Sequence, residues 1–343
     1  MRQGGGLKMI NGKTIGVALG SGSARGWAHI GVLKELRALG IEPDVIVGCS
    51  VGSLVGAVAG LGHLDEFEEW VIALNWREVW GLLDVSFAGG LVRGDKLLGF
   101  FKEAGIDRNI EDMPCTFGAV ATELGTGQEL WLRSGKIVDA VRASCTFPGL
   151  FRPVNSNGCW LVDGGLVNPV PVSLCRALGA DIIIAVDLNT QLVARNVQMS
   201  RKEKRQPETD QKLERTALNN REEEPDGTAI NRIKSWFISS EKHENESETY
   251  PGIMEVMAAA INIMQDRITR SRMAGDPPDI LLSPKVMDIG MMDFDRARDA
   301  IREGHTAVRS TRDRIHQICG LDPEMSDDFC TAREERLDLE EKE

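Results

Sequence analysis

The sequence predicts an α/β fold, a mostly parallel central sheet with helices on both faces. Two observations point there. Between Thr14 and Ala59 short apolar runs alternate with segments of helical spacing, a strand, helix, strand, helix rhythm. Further on, Asp181 and Asp187 enclose the apolar run IIIAV, the length of a strand buried on both faces.

The elements follow in order. Thr14 to Leu19 (TIGVAL) reads as the first strand, and GSGSARG at Gly20 to Gly26 as a glycine-rich turn. Trp27 to Leu39 places Ile30, Val32, Leu33, Leu36 and Leu39 at helical spacing and is ended by Gly40. Asp44 to Val47 is a second strand, and Ser50 to Ala59 a small-sided buried helix. Leu64 to Asn75 and Gly94 to Ala104 read as helices. Thr116 to Ala121 and Gln128 to Leu132 are strands, with Gly125 and Gly127 in the turn between them. Ile137 to Ser144 is helical and Trp160 to Val162 a brief strand. Late in the chain come a helix over Ile253 to Arg272, a strand over Ile280 to Leu282 and one long helix over Phe294 to Ile318.

This pattern divides the chain into a polar N-terminal segment (1–13), a catalytic domain begun over 14–194 and completed over 250–318, a charged insertion (195–249) and an acidic tail (319–343). The insertion holds 11 basic and 12 acidic residues with few apolar ones, which predicts flexibility. Within it Ile230 to Ile238 (INRIKSWFI) admits two readings, a loop folding back on the domain or an amphipathic turn lying on a membrane.

Net charge is −12 over 343 residues, and −7 of it lies in Leu321 to Glu343, so nucleic-acid binding is not expected. Seven cysteines without a CxxC pair suggest neither a disulfide framework nor a zinc site; Cys49, Cys145, Cys159 and Cys175 read as small buried apolar residues. Val45 to Gly62 has no charged residue, but its glycines favour a buried strand, turn and helix over a membrane span. With a polar N-terminus and no apolar signal segment, the expectation is a soluble cytoplasmic protein.

Three motifs carry chemistry. Gly48-Cys49-Ser50-Val51-Gly52 is a G-x-S-x-G between a strand and a helix, the context of a nucleophile elbow, with Ser50 at its apex. The Gly20–Gly26 turn could cradle a dinucleotide, but the second strand ends in the serine elbow and Asp44 stands at its start, so the ribose-binding acid is missing. The same turn can form an oxyanion hole from amides near Gly22 and Ser23, with Arg25 bracing the loop or adding positive potential. Asp163-Gly164-Gly165 ends a short strand and sets a carboxylate where another segment can approach closely. Of the five histidines, His29 reads as a packing residue, His63 closes a helix, His243 lies in the insertion, and His305 and His316 lie on the last helix, on whose surface a histidine is usually solvated. A Ser50–Asp163–His305 triad is conceivable. A Ser50–Asp163 dyad is simpler.

The ordered set GSGSARG, GCSVG and DGG resembles the patatin-like phospholipases, in particular their bacterial RssA type. GWAHIGVL, ASCTFPGLF, LVDGGLVNPVPV and RMAGDPPDILL extend the likeness over about Thr14 to Asn189 and Pro251 to Arg309. The resemblance implies a three-layer α/β/α sandwich, hydrolysis of lipid acyl esters, Ser50 as nucleophile and Asp163 as base. It places the oxyanion hole among Gly20, Gly22, Ser23, Ala24, Arg25, Gly26 and Val51, and makes Gly48, Gly52, Gly164 and Gly165 the motif glycines. No metal or other cofactor is implied. The implied partner is a lipid or acyl ester, with peripheral contact at the inner membrane face compatible with it. Two departures stand out: Ser21 and Ser23 occupy a run that is often all glycine, and Asp-Gly-Gly replaces the common Asp-Gly-Ala. A catalytically silent scaffold acting through the insertion and a dinucleotide-binding oxidoreductase are the competing readings.

Overall fold

The computed structural model describes residues 12–74, 108–149, 151–190 and 253–321. The expected helix at 94–104, the insertion with its 230–238 island and nearly all of the acidic tail lie outside the described residues.

Eight strands form one sheet: β1 (Ile15–Leu19), β2 (Val45–Cys49), β3 (Thr116–Glu123), β4 (Glu129–Leu132), β5 (Val154–Ser156), β6 (Cys159–Asp163), β7 (Ile182–Val186) and β8 (Ile280–Leu282). Their order is β5-β6-β3-β2-β1-β7-β8, with β4 also paired to β3. The β1–β2, β1–β7, β2–β3 and β7–β8 pairs are parallel; the three pairs involving β4, β5 or β6 are antiparallel. The sheet is thus mostly parallel.

Alternation along each strand feeds two cores. Ile15, Val17 and Leu19 of β1 and Ile182, Ile184 and Val186 of β7 pack on one face with α1 (Ala28–Ala38), α2 (Val51–Gly60), α3 (Leu64–Ala73), α4 (Ile137–Ser144), α7 (Ala297–Arg309) and α8 (Arg312–Cys319). Ala18, Ile183 and Ala185 face the other way, onto α5 (Val172–Ala177) and Met273 of α6 (Ile253–Gly275). The result is a three-layer α/β/α sandwich. Each fully buried Ile, Leu or Val contributes about 1.5–3 kcal/mol by leaving water, and the middle layer is lined with them.

The tightest helix crossing joins α1 to α7. A Cβ on Gly31 would lie 2.0 Å from the Ile301 carbonyl oxygen, and one on Gly304 2.0 Å from that of Ala28. Glu35, buried in the same interface, accepts from His305 Nδ1 at 2.8 Å and Arg309 Nε at 2.9 Å.

Three expectations need correction. The single helix over 294–318 is broken into a 3-10 turn (Phe294–Arg296), α7 and α8. Ser310 Oγ and Thr311 Oγ1 both bond the Ala307 carbonyl at 3.0 Å, side chains competing with the helical ladder where it ends. His316 is buried on α8 rather than solvated. Cys159 is only partly buried, at the edge beside Glu123.

Candidate active site

Strand geometry brings the motifs together. On β3, Val120 is opposite Cys49 of β2, and the next residue, Ala121, is opposite Asp163 of β6. Residues 119–122 of β3 also pair with β4. A strand has two edges, so β4 takes one and β2 and β6 share the other, end to end. Ser50, one residue beyond β2, therefore meets Asp163, the last residue of β6.

Their side chains touch: Ser50 Oγ donates to Asp163 Oδ2 at 2.5 Å. Ser50 sits at φ 54° and ψ −130°, a strained conformation for a residue with a side chain. Its neighbours hold it there. Ser50 N donates to Ser144 Oγ at 2.9 Å, and the Ser50 carbonyl accepts from Ser53 N at 2.8 Å and Ser53 Oγ at 2.6 Å. Gly48 and Gly52 make the bend possible by close approach: a Cβ on Gly52 would lie 2.3 Å from the Leu19 carbonyl oxygen, and one on Gly48 2.3 Å from Ser53 N.

Asp163 is fixed from all sides. Its Oδ1 accepts from Gly165 N at 2.7 Å, its amide donates to the Thr146 carbonyl at 2.9 Å, and its carbonyl accepts from Thr122 Oγ1 at 2.8 Å. Gly164 lies over β3, where a Cβ would be 2.3 Å from the Val120 oxygen. Burial pushes the Asp163 carboxyl up to about 6, against the opposing pull of the hydrogen bonds from Ser50 and Gly165. Burial also raises the Cys49 and Cys145 thiols far above the ordinary range. Both thiols stay neutral beside the Asp163 carboxyl.

The glycine turn leads into a 3-10 helix at Ser23–Trp27. Several of its amides already have acceptors: Gly20 N donates to Val186 O, Ser21 N to Pro169 O, Ala24 N to Met291 O and Arg25 N to Gly22 O, at 2.9–3.2 Å. Gly26 packs against Val51, where a Cβ would lie 2.1 Å from Val51 Cγ1. Among the described residues no acceptor lies on the Gly22 or Ser23 amide, and Val51, first residue of α2, has no carbonyl four positions back within its helix. The expected set of amides is thereby narrowed. Gly20, Ala24 and Arg25 cannot donate to an oxyanion while these bonds stand.

Arg25 is a brace. It is buried, its Nε donates to the Gly22 carbonyl at 3.1 Å, and its Nη2 donates to Asn262 Oδ1 of α6 at 3.1 Å. Gln265, also on α6, accepts from Ser21 Oγ at 2.9 Å and Asn189 Nδ2 at 3.2 Å, and its Nε2 occupies the space over Gly165. Sequence reasoning missed Ser144, Asn189, Asn262 and Gln265. Ser144 stood inside the ASCTFPGLF motif, but the other three lie outside any short pattern.

No described histidine bonds Ser50 or Asp163. His29 Nε2 donates to the Gly20 carbonyl at 2.8 Å, and burial lowers its pKa to about 4, against that bond, so it is neutral and structural. His305 is engaged with Glu35, and His243 lies outside the described residues. Asp44 Oδ2 accepts from Ile15 N at 2.9 Å, joining the starts of two strands.

A family model described as patatin-like phospholipase matches residues 17–176, a span that includes the turn, the elbow and the aspartate. Over that span the chain is similar to the patatin-like phospholipases. The chain is also similar to an uncharacterized NTE family protein of Mycobacterium tuberculosis, 41% identical over 176 residues, covering 51% of this chain and 49% of that protein. A patatin-like phospholipase domain-containing protein of Caenorhabditis elegans is 34% identical over 193 residues, 53% of this chain and 14% of its own. A lysophospholipase of Coccidioides immitis is 36% identical over 191 residues, 53% and 12%. The chain thus spans half or less of the length of these curated relatives. Among solved structures, VipD from Legionella pneumophila is matched over 92% of this chain and 81% of its own, at 14% identity and a TM-score of 0.32.

Proposed function

We propose that this chain is a serine hydrolase of lipid acyl esters, with Ser50 as nucleophile and Asp163 as its general base. The 2.5 Å hydrogen bond between a serine on a strained elbow and a buried carboxylate carries the reading. A serine hydroxyl becomes a useful nucleophile only when a positioned base takes its proton. Asp163 is close enough to do so without an intermediary.

The reaction runs in two steps. Ser50 Oγ attacks the ester carbonyl carbon as its proton passes to Asp163. The developing oxyanion takes the amides of Gly22 and Ser23, with Val51 N at the start of α2 as a third donor. Collapse breaks the bond to the alcohol or lysolipid, which leaves with the proton from Asp163. Water then gives a proton to Asp163 and attacks the acyl-enzyme, and the fatty acid departs as Ser50 recovers its hydrogen. Nothing in the sequence requires a metal or cofactor.

The patatin-like phospholipase match over residues 17–176 supports a lipid substrate, and the relatives named lysophospholipase favour a lysophospholipid among acyl esters. Among the described residues no helix is long and apolar enough to cross a membrane, which fits the cytoplasmic, peripheral placement we favour. Fluorophosphonate labelling tests the chemistry. Wild type should label, while Ser50→Ala and Asp163→Asn should not, and both should lose hydrolysis of a lysophospholipid. Labelling that persists in Asp163→Asn would remove the aspartate from its role. Failure of the folded wild type to label would favour a silent scaffold.

A further inference from the structure

α6 shows solvent an apolar face that the fold leaves uncovered among the described residues. Val256 and Met264 are about half exposed, at 50% and 49%, and Ile263 and Met257 at 46% and 40%. Ala259 and Ala260 are exposed between them, and Arg267 and Arg270 continue the same face one to two turns further on. These positions recur at helical spacing. The opposite side of the helix buries Ile261, Gln265 and Thr269. One face of a single helix is thus apolar toward its N-terminal end and cationic toward its C-terminal end, in a chain whose net charge is −12.

We propose that this face docks on an anionic lipid surface, with Val256, Met257, Ile263 and Met264 entering the acyl boundary and Arg267 and Arg270 meeting phosphates. An amphipathic helix lying in the interface has this division of labour, and unbranched methionines adapt to a fluid contact. Charge selects a membrane over a second copy of the chain. Two arginines have no reason to flank a patch that would meet an acidic protein's own apolar face, whereas each cation near an anionic bilayer strengthens binding.

Position gives the docking a purpose. The buried side of α6 holds the site: Asn262 bonds Arg25, and Gln265 bonds Ser21 and lies over Gly165. The Met257 methyl stands 3.5 Å from where a Gly149 Cβ would be, in the loop that follows Ser144 and Cys145. A bilayer on the outer side of α6 would therefore lie one helix away from the turn that receives the substrate carbonyl. This last step rests on the hydrolase reading; the docking itself does not.

The full chain carrying Ser50→Ala, which cannot turn over lipid, separates the two. It should sediment with phosphatidylglycerol–phosphatidylcholine vesicles and only weakly with pure phosphatidylcholine. Ile263→Glu with Met264→Glu should weaken binding to both kinds of vesicle at least tenfold. Arg267→Gln leaves the Arg270–Asp266 pair intact and should cost about fivefold on anionic vesicles and nothing on neutral ones. The proposal is overturned if the chain stays in the supernatant with both vesicles, or if neither variant alters sedimentation. It is also overturned if the double variant instead converts a dimer to a monomer in equilibrium ultracentrifugation, since a second copy would then cover the face. Vesicle binding by a wild type that fails to label with a fluorophosphonate would leave docking standing and sink the hydrolase reading.

Discussion

Ser50 and Asp163 meet because two strands end against each other on one edge of a third: Cys49 pairs with Val120, Asp163 pairs with the adjacent Ala121, and the 2.5 Å contact follows. The distance between the two functional groups is set by backbone register, not by flexible side chains.

The first consequence is a pH profile. Asp163 must be ionised to take a proton from Ser50, and its carboxyl is pushed up to about 6 by burial. Hydrolysis of a soluble ester should therefore be flat above pH 7 and should fall about tenfold per pH unit below 6. A kcat/KM that holds its plateau down to pH 5 would contradict the raised carboxyl of Asp163.

The same burial costs stability. Between pH 3.8 and about 6 the folded chain keeps a proton on Asp163 that the unfolded chain has released, so this residue makes the fold less stable as pH rises through that window. Above it the cost is on the order of 3 kcal/mol. Asp163→Asn can still accept from Gly165 N and should unfold at higher temperature than wild type at pH 7.5. At pH 4 that advantage should vanish. Equal melting temperatures at both pH values would contradict the burial argument.

Arg25 holds the turn through Gly22 and Asn262. Lysine lacks the planar fork that makes both bonds at once, so Arg25→Lys should let the turn drift. Because oxyanion donors act in the transition state, kcat should fall, by up to about 10²–10³-fold, while KM changes little. Steady-state kinetics on a soluble ester decides it; a raised KM with kcat intact would mean that Arg25 contacts the substrate instead.

Glu35 links α1 to α7 through His305 and Arg309. Burial alone would raise its carboxyl, but the hydrogen bonds from His305 and Arg309 outweigh it and hold the group below 4.5. Its contribution is thus fully present above pH 4.5 and is lost as pH falls below that. Glu35→Ala should lower stability by about 1–3 kcal/mol at pH 7, and the gap should be smaller at pH 3. Urea unfolding at the two pH values measures both.

The elbow, the turn and the aspartate were legible because each is a local pattern of small residues around one chemical group, placed at the end of an apolar run. Their bracing was not. Gln265 lies 244 residues from Ser21, and a glutamine inside a helix gives no sign of what it will touch. β5 went unread although Asn157-Gly158, at φ 51° and 87°, is a hairpin signal, because three residues carry no alternation. α5 is six residues long, too short for a helical period to show. The break between α7 and α8 was written in Ser310 and Thr311, and apolar spacing across them hid it.

The edge shared by β2 and β6 also bears on how the chain reaches its native state. Ser50 and Asp163 are 113 residues apart, and neither can find the other until β3 has received both strands. Closing so long a loop is slow compared with forming local helices. A mechanism-based label should therefore act as a clock for the last stage of refolding, with covalent capture of Ser50 lagging behind the recovery of helical circular dichroism. Simultaneous recovery of the two signals would mean that the sheet and its helices form in one cooperative step.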